Sequence, residues 1–312
     1  MEVGVVIPVG PGRVENVLQV LKALAEQTEV PRIVVCVCDG PDAALEVEGA
    51  GYPTVLAILN APEKHQPGME QPRNVGVRLL RDLARTDSRV AGLTHVWFLD
   101  SDIIVGPDCL EMYQSAMEAE PIERVLVGPY DWMPEGSREP MPDLKNDPRW
   151  VSFDQYEPFQ MLTEDLSAGL ACFSGNLIWP LDEFERVGGF WNDLHHGRCE
   201  DGELGLRAVA MGVPIGFVRE ARGWHLWHPI DLAWAQGANA RDVPMLNERH
   251  PWVQGEGLFV VEEDGKRFNH RCPNCGQEFN SSEIWAHQSA CEAGEPEPTE
   301  PPSSDFPMPD GV

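Results

Sequence analysis

The sequence predicts an α/β fold in which a mostly parallel sheet is covered by helices. Three observations carry that reading. Short apolar runs rich in β-branched and aromatic residues recur through the first third of the chain, stretches with apolar residues at helical spacing fall between them, and acidic residues stand directly after the runs. Strands and helices in alternation build parallel sheets with helices on both faces, and such sheets bind ligands at the carboxyl ends of their strands.

"VGVVIPV" (3–9) is a continuous apolar run, the mark of a strand buried on both faces. "VENVLQVLKALAEQ" (14–27) sets Val14, Val17, Leu18, Leu21, Leu24 and Ala25 at helical spacing. "RIVVCVC" (32–38), "TVLAIL" (54–59) and "HVWFL" (95–99) again read as strands, and "PRNVGVRLLRDLAR" (72–85), which opens with Pro, reads as the helix between the last two. Asp39 then follows the second strand, and Asp100 and Asp102 follow the fourth. From about 129 to 170 the pattern lapses into a segment rich in Pro, acids and aromatics, read as a functional loop. Patterning returns with "CFSGNLIWPLDEFERVGGFW" and with "EDGELGLRAVAMGVP", a helix from about 200 to 211.

At 312 residues the chain has room for one large domain and an appendage. We divide it into a catalytic domain over 1–255 with a lid or acceptor loop at 129–170, a linker over 256–267, a small module over 268–291 and a disordered tail over 292–312. The tail holds six Pro and six acids and no base. No apolar run approaches the ~20 residues a membrane span needs. The short apolar run at the N-terminus lacks a basic leader, so we expect a cytoplasmic protein. The formal net charge of −28, from 23 basic and 51 acidic residues, argues against a nucleic-acid partner, because backbone binding depends on Lys and Arg displacing counterions. A phosphate-bearing ligand would need a metal ion or a few placed Arg residues.

"FLDSD" (98–102) supplies the means. Neighbouring carboxylates at a strand end hold a hard divalent cation whose open positions take diphosphate oxygens, although the same residues also serve as turn and cap formers. "GPG" (10–12) lacks the Lys-Ser/Thr of a phosphate loop, and neither a Gly-x-Ser-x-Gly nor a His-Glu-x-x-His is present.

An ordered series of motifs over roughly residues 3–230 resembles the nucleotide-sugar glycosyltransferases of the GT-A fold, above all the large inverting family 2. "VVIPV" looks like the family's first strand, and "VCVCDGPD" like its second-strand acidic motif, with Cys38 in place of the first acid. "PRNVG" resembles its Ala-Arg-Asn-x-x-Gly element, with the Gly one residue early. "FLDSD" is similar to its Asp-x-Asp motif, "SGNLIWPLDEFERVGGF" to its Gly-Asn and Gly-Gly-Phe elements, and "EDGELGLRAVAMG" to the Glu-Asp-x-Glu-Leu-x-x-Arg helix that supplies its base.

The resemblance implies roles. Pro8, Asp39, Arg73, Asn74, Asp100, Gly175 and Asn176 would bind the donor, with Asp39 on the nucleobase and Arg73 on the uridine or diphosphate region. Asp100 would face ribose or metal, and Asp102 would ligate Mn²⁺ or Mg²⁺. Asp201 would be the general base, with Glu200 as substitute. A late His completes the metal site in metal-dependent members. His225 is the choice here and His228 the alternate, since in an extended segment residues three apart point to opposite faces. Trp132, Trp150 and Trp191 stand where a ring would stack on a sugar, or would pack as core.

The expected activity is transfer of a sugar, from a UDP-sugar by default, to an acceptor hydroxyl of a glycan or protein, with inversion. Two alternatives stay open: a retaining enzyme similar to the protein N-acetylgalactosaminyltransferases, and an inactive sugar-nucleotide-binding adaptor.

The last three Cys are clustered. Cys272, Cys275, His287 and Cys291 have the spacing of a Cys-Cys-His-Cys zinc site, closed and therefore structural, in a unit too short to have a core of its own. With few bases and an acidic tail beside it, docking to a protein partner is the better expectation than nucleic acid.

Overall fold

The computed structural model describes residues 1–49, 54–59, 70–147, 149–150, 153, 166–194, 199–228, 242, 244–250, 270–271 and 278–279. In chain order the elements are β1 (Val3–Val9), α1 (Val14–Ala25), β2 (Ile33–Asp39), α2 (Pro41–Gly49), β3 (Thr54–Leu59), α3 (Glu70–Thr86), β4 (His95–Leu99), β5 (Ile103–Val105) and α4 (Cys109–Ala119). Then come β6 (Val125–Val127), β7 (Tyr130–Trp132), α5 (Leu166–Leu170), β8 (Asn176–Pro180), α6 (Leu181–Val187), α7 (Glu200–Ala210), β9 (Ile215–Phe217) and β10 (Gly223–His225). β11 (His270–Arg271) and β12 (Glu278–Phe279) follow.

β1 runs through the middle of the main sheet, whose strand order is β3-β2-β1-β4-β8-β6-β9. All seven residues of β1 are buried, which is why the strand reads as unbroken apolar sequence. Its side chains alternate between two cores. Val3, Val5, Ile7 and Val9 pack with α1, α2 and α4 through Val17, Leu21, Val47 and Tyr113. Val6 faces the opposite side, with Val77 and Leu80 of α3, Phe184 of α6 and Leu204 of α7. A β-carbon on Gly76 would lie 2.4 Å from Val6 Cγ1, so the glycine of "PRNVG" lets α3 lie directly on β1. Gly205 of α7 approaches Gly169 of α5 equally closely: a β-carbon there would overlap the Gly169 carbonyl oxygen at 2.0 Å.

β1 to β4 are mutually parallel. β8 runs antiparallel to both β4 and β6, while β6 and β9 are parallel, so the sheet is mixed on one side and mostly parallel overall. A separate three-stranded sheet, order β5-β10-β7, pairs β10 antiparallel to β5 and parallel to β7.

Of the segment read as a loop, 129–170, the described residues are 129–147, 149, 150, 153 and 166–170; the last five form helix α5, and the part before them is tied to the fold. Fully buried Asp131 accepts hydrogen bonds from the backbone N–H of Asn146 and Asp147, from Trp150 Nε1 (2.7 Å) and from Arg222 Nη2 (2.6 Å). Arg149 pairs with Asp147 at 2.6 Å. Trp150 is thereby a core residue and not a sugar platform.

The chain separates into two compact units, Met1–His228 and Pro229–Val312. In the second, β11 and β12 pair antiparallel, His270 with Phe279 and Arg271 with Glu278, bracketing the segment that carries Cys272 and Cys275. Those two residues, His287, Cys291, the linker at 256–267 and the tail at 292–312 lie outside the described residues. Among the described residues no helix is long and apolar enough to cross a membrane.

Candidate active site

The site forms where β4 ends. Asp100 donates its backbone N–H to Gly175 O (3.2 Å), Ile103 N–H returns to Asp100 O (3.2 Å), and the chain turns directly from β4 into β5. Because Ile103 pairs with His225 in the small sheet, Asp102 and His225 become neighbours by register. Leu226 N–H then donates to Asp102 O (2.7 Å). His225 Nε2 lies 3.5 Å from Asp102 Oδ1, and His228 Nε2 lies 3.3 Å from Asp102 Oδ2. The alternation expected of an extended segment does not separate the two histidines: β10 ends at His225, and the two imidazole centroids lie 5.1 Å apart.

Carboxylate and imidazole are donor types that Mn²⁺ accepts. The candidate ligand atoms of Asp102, His225 and His228 all lie within 4.8 Å of one another. Separations of 3.3 and 3.5 Å match neighbouring ligands around one small cation, which sit roughly 3 to 3.6 Å apart for bonds of about 2.1 Å. The residues therefore fit a divalent ion. Burial alone would raise the Asp102 carboxyl, but His225, His228 and Arg13 outweigh it and hold the group below the usual carboxylate range. Burial lowers His225, with Asp102 opposing. Arg13 Nη1 stands 3.5 Å from Asp102 Oδ2, a contact that the sequence analysis missed.

Asp100 turns away from this group. Its Oδ1 is 2.7 Å from Arg73 Nη2, while Arg73 Nη1 is 3.0 Å from Glu200 Oε1 and 3.6 Å from Asp201 Oδ1. The guanidinium is 2% exposed and sits 5.3 Å over the Phe190 ring. Arg73 is thus a buried hub for three acids, where the resemblance implied a ligand of uridine or diphosphate. One cation does not balance three carboxylates. Burial foremost, then Asp201, pushes the Glu200 carboxyl up to about 8 against the pull of Arg73. Asp100 is raised by burial, also with Arg73 opposing.

A consequence can be measured. The stability that neutral Glu200 contributes is complete below its unfolded value of 4.5 and is lost as pH rises through about 8. Denaturant melts of wild type and Glu200→Gln should diverge as pH climbs from 4.5 to about 8 and keep a constant gap above that, the wild type losing up to about 1.4 kcal/mol per pH unit relative to the variant within the window. Parallel curves would mean that Glu200 is already ionised in the fold.

Asp201 opens toward the site, its side chain 21% exposed against 3% for Glu200. Buried Ser174 holds it from both sides: the Ser174 N–H donates to Oδ2 (3.1 Å) and the hydroxyl to Oδ1 (2.5 Å). No spacing signal marks Ser174, because serine is common and its partner is 27 residues away.

Several motif residues serve the scaffold. Asn74 donates to Phe190 O (2.8 Å) and accepts from Phe190 N–H (3.0 Å), clamping the Gly-Gly-Phe turn beneath Arg73. Asn176 is fully buried, accepting from Trp97 Nε1 (3.0 Å) and Tyr113 Oη (2.9 Å) and donating to Ala221 O (2.8 Å). A β-carbon on Gly175 would meet Ile103 Cδ1 at 2.5 Å, so this residue lets β8 pass close to β5. Pro8 is buried within β1, opposite Val37. Asp39 is half-buried at the carboxyl end of β2, with Gly40 turning the chain at φ +94°. Trp132 lies with its ring centroid 4.0 Å from that of His225.

No protein-family model matches the chain. Two curated relatives are similar in sequence. Validoxylamine A glucosyltransferase of Streptomyces hygroscopicus subsp. jinggangensis (strain 5008) is 28% identical, with 57% of this chain and 46% of the relative covered. The protein of the same name from subsp. limoneus is also 28% identical, with 57% and 43% covered. The chain spans less than half the length of these relatives. Among solved structures, S. aureus TarS 1-349 in complex with UDP-GlcNAc superposes with a TM-score of 0.57 at 15% identity, covering 94% of this chain and 73% of that one. The complex with UDP gives 0.53 at 15%, covering 85% and 76%. At that identity the likeness shows a shared fold.

Proposed function

We propose that the protein is a metal-dependent glycosyltransferase that moves a sugar from a UDP-sugar to an acceptor hydroxyl of a glycan or protein, with inversion. The observation that carries the reading is the convergence of Asp102, His225 and His228 at the end of β4, with the open carboxylate of Asp201 tied to the same corner through Arg73 and Asp100. The complexes of TarS with UDP-GlcNAc and UDP lend support to the choice of donor.

Asp102, His225 and His228 would hold Mn²⁺ or Mg²⁺. The ion, when bound, offsets the charge that develops on the departing diphosphate. Asp39, at the end of β2, is the candidate contact for the base, and Asp100 for the ribose. The acceptor oxygen forms a bond to the anomeric carbon as the bond to the diphosphate breaks, and Asp201 takes the acceptor's proton. Ser174 keeps both Asp201 oxygens in place, so the base meets the acceptor in one orientation. In the second unit, Cys272, Cys275, His287 and Cys291 would bind a structural Zn²⁺, a reading supported by the antiparallel register that brackets the first two, and the module would dock a protein partner.

Calorimetric titration of UDP into metal-stripped protein, with and without Mn²⁺ and repeated on Asp102→Ala, tests the donor site. The expected result is binding that needs Mn²⁺ and falls at least about tenfold in the variant. If neither UDP nor GDP binds with metal present, the donor-site reading fails, and the sugar-nucleotide-binding adaptor fails with it.

A further inference from the structure

We infer that Arg13 is a stand-in cation for the Asp102 site, one that yields Asp102 to a divalent ion and then binds the donor's diphosphate. The inference rests on the donor-site reading above and extends it to a residue that no motif marks.

Placement comes first. The chain leaves β1 at Val9 and turns through Gly10 and Gly12, the latter at φ +72°, with Arg13 N–H closing the turn on Gly10 O (3.2 Å). Arg13 occupies the cap position before α1, but its side chain makes no capping hydrogen bond. It reaches across instead, from the end of β1 to the end of the adjacent parallel strand β4. The crevice beyond neighbouring strand ends is where open α/β sheets take their ligands.

The way Arg13 is held differs from Arg73. Arg73 is 2% exposed and contacts three acids. Arg13 is 30% exposed, and among the described residues the acid it meets is Asp102, at 3.5 Å. That separation is a charge contact and lies outside the range of a short hydrogen bond. A guanidinium held so loosely moves at little cost. It also shares Asp102 Oδ2 with His228, and so stands against the same carboxylate that the ion would use. Arginine and a divalent ion therefore compete for one carboxylate until a diphosphate arrives, when the added negative charge accommodates both. The planar fork of arginine matches phosphate oxygens, and with 51 acids against 23 bases a diphosphate needs a cation placed at the site to offset the protein's own charge.

The two roles give opposite signs in one variant. Mn²⁺ alone is expected to bind Arg13→Gln about 3- to 10-fold more tightly than wild type, because a repelling charge is gone. UDP at saturating Mn²⁺ is expected to bind the variant about 10-fold more weakly, for want of a charge-assisted contact. Arg13→Lys should restore the weaker Mn²⁺ affinity and recover UDP affinity only in part. Both quantities are read by calorimetry on the full chain, with melting curves to show that each variant is folded. A variant that weakens both ligands, or changes neither, overturns the inference while the donor site stands on the wild-type titration. Failure of wild type to bind UDP with Mn²⁺ overturns the donor-site reading, and the inference with it.

Discussion

Asp201→Asn is expected to lower kcat by about 10² to 10⁴-fold, the usual worth of a general base, while leaving UDP affinity within about threefold. The substitution keeps shape and removes basicity. Its amide oxygen still accepts one of the two hydrogen bonds from Ser174, so the side chain stays in place. The neighbouring Glu200 is a poor replacement because it is 3% exposed and bound to Arg73. Steady-state transfer rates set beside nucleotide titrations separate the two effects. Unchanged turnover would remove Asp201 from the mechanism, and lost nucleotide affinity would make it a donor ligand.

Arg73→Met is expected to cost about 3–5 kcal/mol of stability, the range for breaking a buried ion pair by deleting one partner. The loss follows from what remains: Asp100, Glu200 and Asp201 around a site with no cation. It should grow with pH as these acids are forced to ionise without a partner. Arg73→Lys keeps the charge but lacks the fork that reaches Asp100 and Glu200 from separate nitrogens, and should fall between wild type and Met. Denaturant midpoints of the three proteins at about pH 6 and 8 give the comparison. Should the Met variant fail to fold, the Lys variant still reports the direction. A Met variant within about 1 kcal/mol of wild type would mean that the three acids are not held by this cation.

Much of the architecture was legible in the sequence. β1, β3 and β4 begin and end where their apolar runs do; β1 and β4 are buried throughout, whereas β3 lies at the sheet edge and is marked by its β-branched and aliphatic run alone. The antiparallel course of β8 was not legible, since "NLIWP" carries no direction. The three-residue strands β5, β7 and β10 are too short to show a period.

In the site, the acids, the histidines and Arg73 could be named, but their partners could not. Arg73 reaches Asp100 and Glu200 from 27 and 127 residues away, a convergence that no local spacing marks. Asn74 and Asn176 misled for a physical reason. An amide both donates and accepts, so it clamps a backbone turn as readily as it binds a nucleotide.

The small sheet joining β5 to β10 has a consequence for how the protein is made. Arg13 leaves the ribosome before Asp102, and His225 and His228 emerge more than 120 residues after it. Over that interval of synthesis the growing chain carries Arg13 and Asp102 without either imidazole. The proposed cation site would therefore be completed by the last strand of the first compact unit, and a chain broken off before residue 223 would lack both histidines proposed to hold the ion.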